Sequence, residues 1–473
     1  VTSSDEASIA VRWISRPTDA LSPTRRGQVL LLWLTAQAVG LAGTRLINVA
    51  VPWFVLVTTR DPALAGVAAL AQMAPLVVAK ALAGPLIDRV GAVRVAVTAD
   101  LSSCLAVAAV PLLHLAGVLS WPLLLVIAAI EGMLRGPGDS AKYALCPSLA
   151  ELTGRPLERV TGLAGTVDRV GSAVGAAFGG LVIAAVGAPR ALLLSCVTFL
   201  VAALLIGFGL GRLLPSALGA GVRGAGVSPA GIQPGDASPS GDSPAGASTS
   251  DSTSAATDGS GESEGSYGQR LRDGFAYWRR DAILVSVTVL VACTNLLDQA
   301  YLAVLVPEWA LRGGLGAEVV GLVFGAYTAA AVLGSAVATA VADRLPTLAT
   351  CVVAFLLTGP PRYLALGLQA PRAALIALVC VAGLASGFLN PVIGAVIFGR
   401  IPRHLVGRVS SLQTSLCWAL IPFGGVVGGL LVNDVGGRAA LLLCGAAYVA
   451  LALVPLAIPG WRALAASPRR RAG

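Results

Sequence analysis

Gly84-Pro85-Leu86-Ile87-Asp88-Arg89-Val90-Gly91-Ala92-Val93-Arg94 is a short acidic–basic connection between two long apolar runs. The run before it is almost entirely Ala, Leu and Val, and a second begins at Val93. The chain turns at Gly91 between them. The plain reading is a solvated loop whose positive charge fixes the orientation of its neighbours. The regular spacing of Gly84, Asp88, Arg89, Gly91 and Arg94 favours a more specific use, and the remainder of the chain decides which.

Composition sets the class. The chain has 473 residues, of which 56% are hydrophobic and only 12% charged, with a mean hydropathy of +0.81. Soluble domains carry roughly twice that charge. Lys and Arg number 33 against 24 Asp and Glu, a net charge of +9. In a soluble protein this excess would suggest nucleic acid; here it falls in connections between apolar runs and reads as membrane topology. No nucleic-acid partner is expected. The eight Cys are scattered and form no C-x-x-C pair, and His114 and His404 lie far apart, so neither a metal site nor a cofactor is expected.

A bilayer core of about 30 Å needs roughly 20 helical residues. Apolar runs of that length lie at about 28–57, 62–87, 92–117, 121–145, 159–186 and 189–212, and again at about 282–306, 317–342, 347–368, 372–399, 408–432 and 437–458. In lipid each run must satisfy its own backbone, which makes it a helix. The predicted organisation is a cytoplasmic tail (1–27), a six-helix bundle (28–212), a disordered cytoplasmic linker (213–268), an amphipathic interfacial helix (269–281), a second six-helix bundle (282–458) and a basic cytoplasmic tail (459–473). The linker is Gly, Ser, Ala, Pro, Asp and Thr with almost no large apolar side chain, so burial cannot offset its chain entropy. Leu271, Phe275, Tyr277 and Trp278 alternate with Arg270, Arg272, Arg279 and Arg280, which suits a membrane surface. Most basic residues outside the runs fall on one side, predicting a multi-pass plasma-membrane protein with both termini cytoplasmic.

The two halves repeat. Gly175, Gly179-Gly180 and Gly187 find counterparts at Gly424, Gly428-Gly429 and Gly436, about 249 residues later. The Asp88-Arg89 turn has a weaker echo at Asp343-Arg344. The stretch at Gly84–Arg94 resembles the G-x-L-x-D-R-x-G-x-x-R connection between the second and third helices of the major facilitator superfamily, with Pro85 and Ala92 as ordinary variations. That resemblance implies an all-α integral membrane fold of 12 transmembrane helices in two six-helix bundles, and a transporter. Gly171, Gly175 and Gly179, four apart on one face, suit close helix packing, as do Gly424 and Gly428. The same stretch is similar to the antiporter signature G-x-x-x-G-P-x-x-G-G, with Ala176 where that signature has proline. Asp100, Glu131-Gly132-Met133-Leu134-Arg135, Pro147-Ser148-Leu149 and Asn390-Pro391 further resemble exporters related to macrolide-efflux and enterobactin-exporter proteins.

Charges inside spans are where function is expected, since each costs at least about 2.5 kcal/mol at mid-membrane. Arg45, with Asn48 about one turn on, lies mid-way along span one, and Glu131 mid-way along span four. The resemblance places those spans at a central cavity, so Arg45 and Glu131 are expected to face it as a candidate ion pair, with Glu131 the leading proton carrier. The alternative is a static pair that fixes helix packing. Asn295 and Asp298 are three apart and share a face of span seven, a second candidate cluster for substrate or proton, or else an outer gate contact. Asn390 beside Pro391 suggests a polar break in span ten. Asp100, Asp168 and Arg169 are read as packing or gating residues, and Arg362 has no assigned role.

The expected activity is proton-coupled efflux of a small amphipathic organic molecule by a monomer working through alternating access. Asp88 is expected to cap a helix of the opposite half, with Arg89 and Arg94 pairing across the same face. An importer, a siderophore or metabolite exporter and a non-transporting receptor remain as alternatives. An enzyme is not expected: the chain has no H-E-x-x-H, Walker or G-x-S-x-G sequence, and Gly207-x-Gly209-x-Gly211 follows no strand.

Overall fold

A computed structural model describes residues 23–210, 267–341, 345–402 and 406–461. The predicted disordered linker, most of both predicted tails and the Asp343-Arg344 echo lie outside the described residues. The apolar runs fold as helices: α1 (Pro23–Thr59), α2 (Pro62–Ala81), α3 (Ala92–Leu115), α4 (Trp121–Ala144), α5 (Leu157–Val186) and α6 (Ala188–Leu210). The second half holds α7 (Ala282–Arg312), α8 (Ala317–Val341), α9 (Thr347–Gly367), α10 (Arg372–Phe398), α11 (Leu412–Val435) and α12 (Gly437–Ala457). Among the described residues, 11 helices are long and apolar enough to cross a membrane. The twelfth, α4, has 24 residues and is long enough, but Glu131, Arg135, Asp139 and Lys142 lower its hydropathy.

Burial is inverted relative to a water-soluble protein. Leu105 and Leu115 are about three-quarters exposed, whereas Asp100 and Arg135 are sealed inside. Bare leucine is stable against lipid and buried charge is stable only when paired, so this is an integral membrane protein with its polar groups turned inward.

The repeat becomes a pseudo-two-fold arrangement. α2 packs on α4 as α8 packs on α10; α1 on α5 as α7 on α11; α3 on α6 as α9 on α12. Two seams join the halves, α5 with α8 and α2 with α11. The equivalent turns at Gly187 and Gly436 share one conformation, φ 83° and ψ 155°.

Both seams are built on glycine at the end of the molecule where Asp61 lies. A Cβ on Gly66 would strike the Gly425 carbonyl, one on Gly429 the Pro62 carbonyl, and one on Gly180 the backbone of Ala317 and Gly321. Asn433 Nδ2 donates to Asp61 Oδ1 at 3.0 Å across the same seam, while that oxygen also caps α2 by accepting from Ala63 N at 2.9 Å. Adjacent glycines face the other way: Gly171, Gly175 and Gly179 abut α1, and Gly424 and Gly428 abut α7. Each Gly-Gly pair therefore serves one contact within a half and one between halves.

The opening stretch is not a simple loop. Ala83–Val90 forms its own short helix after a break at Leu82, and the chain turns at Gly91 with φ 94°. This helix packs on α3 and α4 of its own half. Among the described residues, exposed Asp88, Arg89 and Arg94 form no ion pair, and no cross-half cap by Asp88 is made in this conformation.

Candidate functional site

Between the halves lies a cavity of about 340 Å³, within the range typical of small-molecule sites. Arg45, Asn48 and Val49 of α1 and Asp168 and Ser172 of α5 form one wall. Asp298, Tyr301 and Leu302 of α7, Val323, Phe324, Tyr327 and Thr328 of α8, Arg362 of α9 and Val379 of α10 form the other. The lining is mainly apolar and aromatic, with two acids and two arginines placed among it.

On the second wall Arg362 makes an ion pair with Asp298. The guanidinium is almost wholly buried while the carboxylate is about 35% exposed, so of the two wall residues the acid is the more accessible. Four tyrosine rings surround the guanidinium, with centroids at 4.7 Å (Tyr301), 5.1 Å (Tyr327), 5.4 Å (Tyr363) and 5.9 Å (Tyr448). Cation–π attraction of this kind strengthens when the cation is desolvated. Tyr363 also donates to the Leu297 carbonyl at 2.8 Å, tying α9 to α7 beside the pair.

On the first wall Arg45 donates through Nε to Ser172 Oγ at 3.0 Å. The expected Arg45–Glu131 pair is not formed. Glu131 sits inside the first bundle, where Gln72 Nε2 donates to its Oε2 at 2.8 Å and Ile47, Val51, Leu124, Ile127 and Leu192 surround it. Both residues are mid-span, but α4 turns Glu131 toward α2 and away from the central cavity. One helical turn further along α4, Arg135 reaches Asp100 at 2.7 Å and also pairs with Asp139. Lys142 Nζ lies 2.8 Å from both Asp100 oxygens. Asp100 is thus the shared counter-ion of two buried cations, a packing role for α3 against α4.

Arg45, Asn48, Asp168 and Asp298 do line the cavity, whereas Asn295 does not. Its side chain donates to the Cys417 carbonyl at 3.0 Å, where α11 is interrupted at Ala419-Leu420 before Pro422. Proline has no N–H to continue the ladder, and Asn295 serves one of the carbonyls at that break. Asn390 is exposed on α10 and lies outside the cavity wall. The Arg169 side chain is outside those described. Sequence reasoning missed Gln72, Arg362's role and the tyrosines. The available signal was that Arg362 is the one charge in its apolar run and so needs a partner such as the mid-span Asp298; the gathering of four of the 7 Tyr around it is visible only in the structure.

The profile of the Major Facilitator Superfamily matches residues 33–245 and 288–471. The chain belongs to this superfamily. It is therefore a transporter of small molecules and not an enzyme. The multidrug efflux pump Tap of Mycobacterium tuberculosis (strain ATCC 25618 / H37Rv) is 28% identical over 464 residues, covering 94% of this chain and 97% of the relative. The protein of the same name from Mycolicibacterium fortuitum is 26% identical over 451 residues, covering 94% and 98%. The crystal structure of nucleoside transporter NupG superposes with a TM-score of 0.63 at 12% identity, over 93% of this chain and 100% of that one. A point mutant of it gives 0.67 at 11% identity, over 92% and 99%. At that identity the likeness speaks for the superfamily fold alone.

Proposed function

We propose that this chain exports small amphipathic organic molecules, drugs or secondary metabolites, across the plasma membrane in exchange for protons. The observation that carries this reading is the cavity between the halves: an apolar and aromatic wall with Asp298 and Asp168 set into it, roofed at the Asp61 end by glycine seams. Both termini and the Asp88 helix face the cytoplasm, as the distribution of basic residues favours. The conformation described is then the inward-facing one, ready to load cargo from inside. Rocking of the halves about the cavity opens the seams and brings the Asp88 face together, where Asp88 meets a positive helix N-terminus in the other half. The relatives named as multidrug efflux pumps support export of drug-like molecules.

Glu131 is the proposed proton carrier. Among the described residues Gln72 is its hydrogen-bond partner, an apolar pocket surrounds it, and Arg135, one turn further along α4, pairs with Asp100 and Asp139 instead. Everted membrane vesicles test both points. Vesicles carrying the chain should accumulate a fluorescent amphipathic dye when acidified inside, and a protonophore should collapse the signal. Glu131→Gln should cut proton-driven accumulation at least tenfold while leaving dye binding to purified protein within about twofold; full proton dependence in that variant would remove Glu131 from the role. A second reading, uptake, draws on Ala176 in place of the antiporter proline, and would show as dye accumulation in right-side-out vesicles only.

A further inference from the structure

The helix Tyr267–Arg280 is the one described helix outside the bundles that neither spans the membrane nor shapes the cavity, and its two sides are chemically distinct. One side is fastened to the second half. Tyr277 donates to the Arg400 carbonyl at 2.6 Å and Trp278 Nε1 to Thr288 Oγ1 at 2.9 Å. Both rings pack on Leu284, Ile401 and Val409. Just beyond the helix, Asp281 caps α7 through one oxygen, accepting from Ile283 N at 2.9 Å, and pairs with Arg400 Nε at 2.7 Å through the other.

The side turned away from Tyr277 carries exposed side chains, with the Phe275 ring leaning on Trp278 at 5.4 Å between centroids. Arg272, Phe275 and Arg279 follow the i, i+3, i+7 spacing of one helix face, and Arg280 lies beside them. All four are exposed, Phe275 at 44%. A single residue, Asp281, separates the helix from α7, and with the Asp88 end cytoplasmic, as proposed above, the helix stands at the level of the inner headgroup layer. An exposed phenyl ring among three guanidinium groups is unstable against hydrocarbon alone and gains little from water. It fits a boundary where the ring enters the acyl region and the cations meet phosphate oxygens.

We propose that Arg272, Arg279 and Arg280, with Phe275 as wedge, form a docking surface for anionic phospholipid headgroups, and that its occupancy tunes the transport cycle. The coupling is mechanical. The same helix is bonded to Arg400 in the connection between α10 and α11, and its rings pack on Val409 of the segment leading to the break at Ala419-Leu420. That segment carries Trp418, whose ring lies 5.1 Å from Lys80 Nζ of the first half. A lipid-held helix fixes this segment and sets how easily the halves approach at the Asp88 end.

The test uses the full chain in proteoliposomes of phosphatidylcholine, with or without phosphatidylglycerol. Each arginine near an anionic surface is worth about fivefold in membrane affinity. Phosphatidylglycerol should therefore change the dye-transport rate several-fold in the wild type, and high salt should cancel the change. The triple variant R272Q/R279Q/R280Q should match wild type in phosphatidylcholine and respond less than twofold to phosphatidylglycerol, while R272K/R279K/R280K should keep the response. Inorganic phosphate should not substitute for the lipid; a response to it would reassign the surface to free anions and overturn the proposal. An undiminished response in the glutamine variant would do the same. A fluorophore on Ala276→Cys should shift its emission on adding phosphatidylglycerol even without cargo, so failure of the export reading and failure of this one are distinguishable.

Discussion

Asp298→Ala should abolish transport and sharply reduce the folded protein recovered. The substitution leaves the Arg362 guanidinium buried among tyrosine rings without its counter-charge. Breaking a buried pair from one side typically costs about 3–5 kcal/mol, and the partial exposure of Asp298 to the cavity places this case toward the lower end. The remaining cation–π contacts, each worth about 0.5–2 kcal/mol, were already present and offset none of the loss. Asp298→Leu combined with Arg362→Met removes both charges together, and replacement of a whole pair by apolar residues is often neutral or better. The double variant should therefore regain the thermal stability of the wild type in detergent while dye export stays absent. Recovery of both would make the pair structural only; recovery of neither would mean that the tyrosine cluster depends on the charge itself.

The second large effect separates neighbouring glycines. Gly429→Val should leave the protein folded and stop transport, whereas Gly424→Val should lower stability itself. A Cβ on Gly429 meets Pro62 and Ala63 of the first half, so added bulk opposes closure of the seam without disturbing either bundle. A Cβ on Gly424 meets Leu296, Gln299 and Ala300 of the same half. There the helices cannot part without loosening the bundle, and overpacking costs about 1–3 kcal/mol. Gly180→Val, at the other seam, should behave as Gly429→Val does. The readouts are melting temperature and the rate at which a probe on the Asp61 end is labelled from outside intact cells. Seam variants should label faster than wild type at unchanged melting temperature. Equal loss of stability in all three would mean that the seams are permanent packing and not a gate.

The fold was largely legible in the sequence because membrane spans are written in composition. Twelve long apolar runs, a glycine pattern repeated about 249 residues on and the Gly84–Arg94 motif carry their meaning without knowledge of tertiary contacts. The site was legible only in part. Mid-span charge is visible from position along a run, and Arg45 and Asp298 line the cavity; Asp168, read as a packing or gating residue, lines it as well. What a run does not disclose is helix rotation: each residue turns by about 100°, so Glu131 and Arg45 can share a depth and still face different partners. Gln72 drew no notice because one amide in a run of Ala and Leu has no periodicity. Asn295 was read by its spacing from Asp298, but the three-residue step leaves about 60° between them, enough to send one into the cavity and the other to the broken α11. Arg362 stood alone in its own span, and its counter-ion is 64 residues away.

The most direct test of the central claim, that the halves rock about the cavity, is a pair of distances measured between spin labels in lipid nanodiscs. In a background lacking the eight native cysteines, Arg60 and Arg438 report on the Asp61 end, and Arg89 and Arg280 on the Asp88 end. On switching between pH or cargo conditions, the first distance should lengthen as the second shortens, within one population shift. Two distances that stay fixed, or that change in the same direction, would contradict the account.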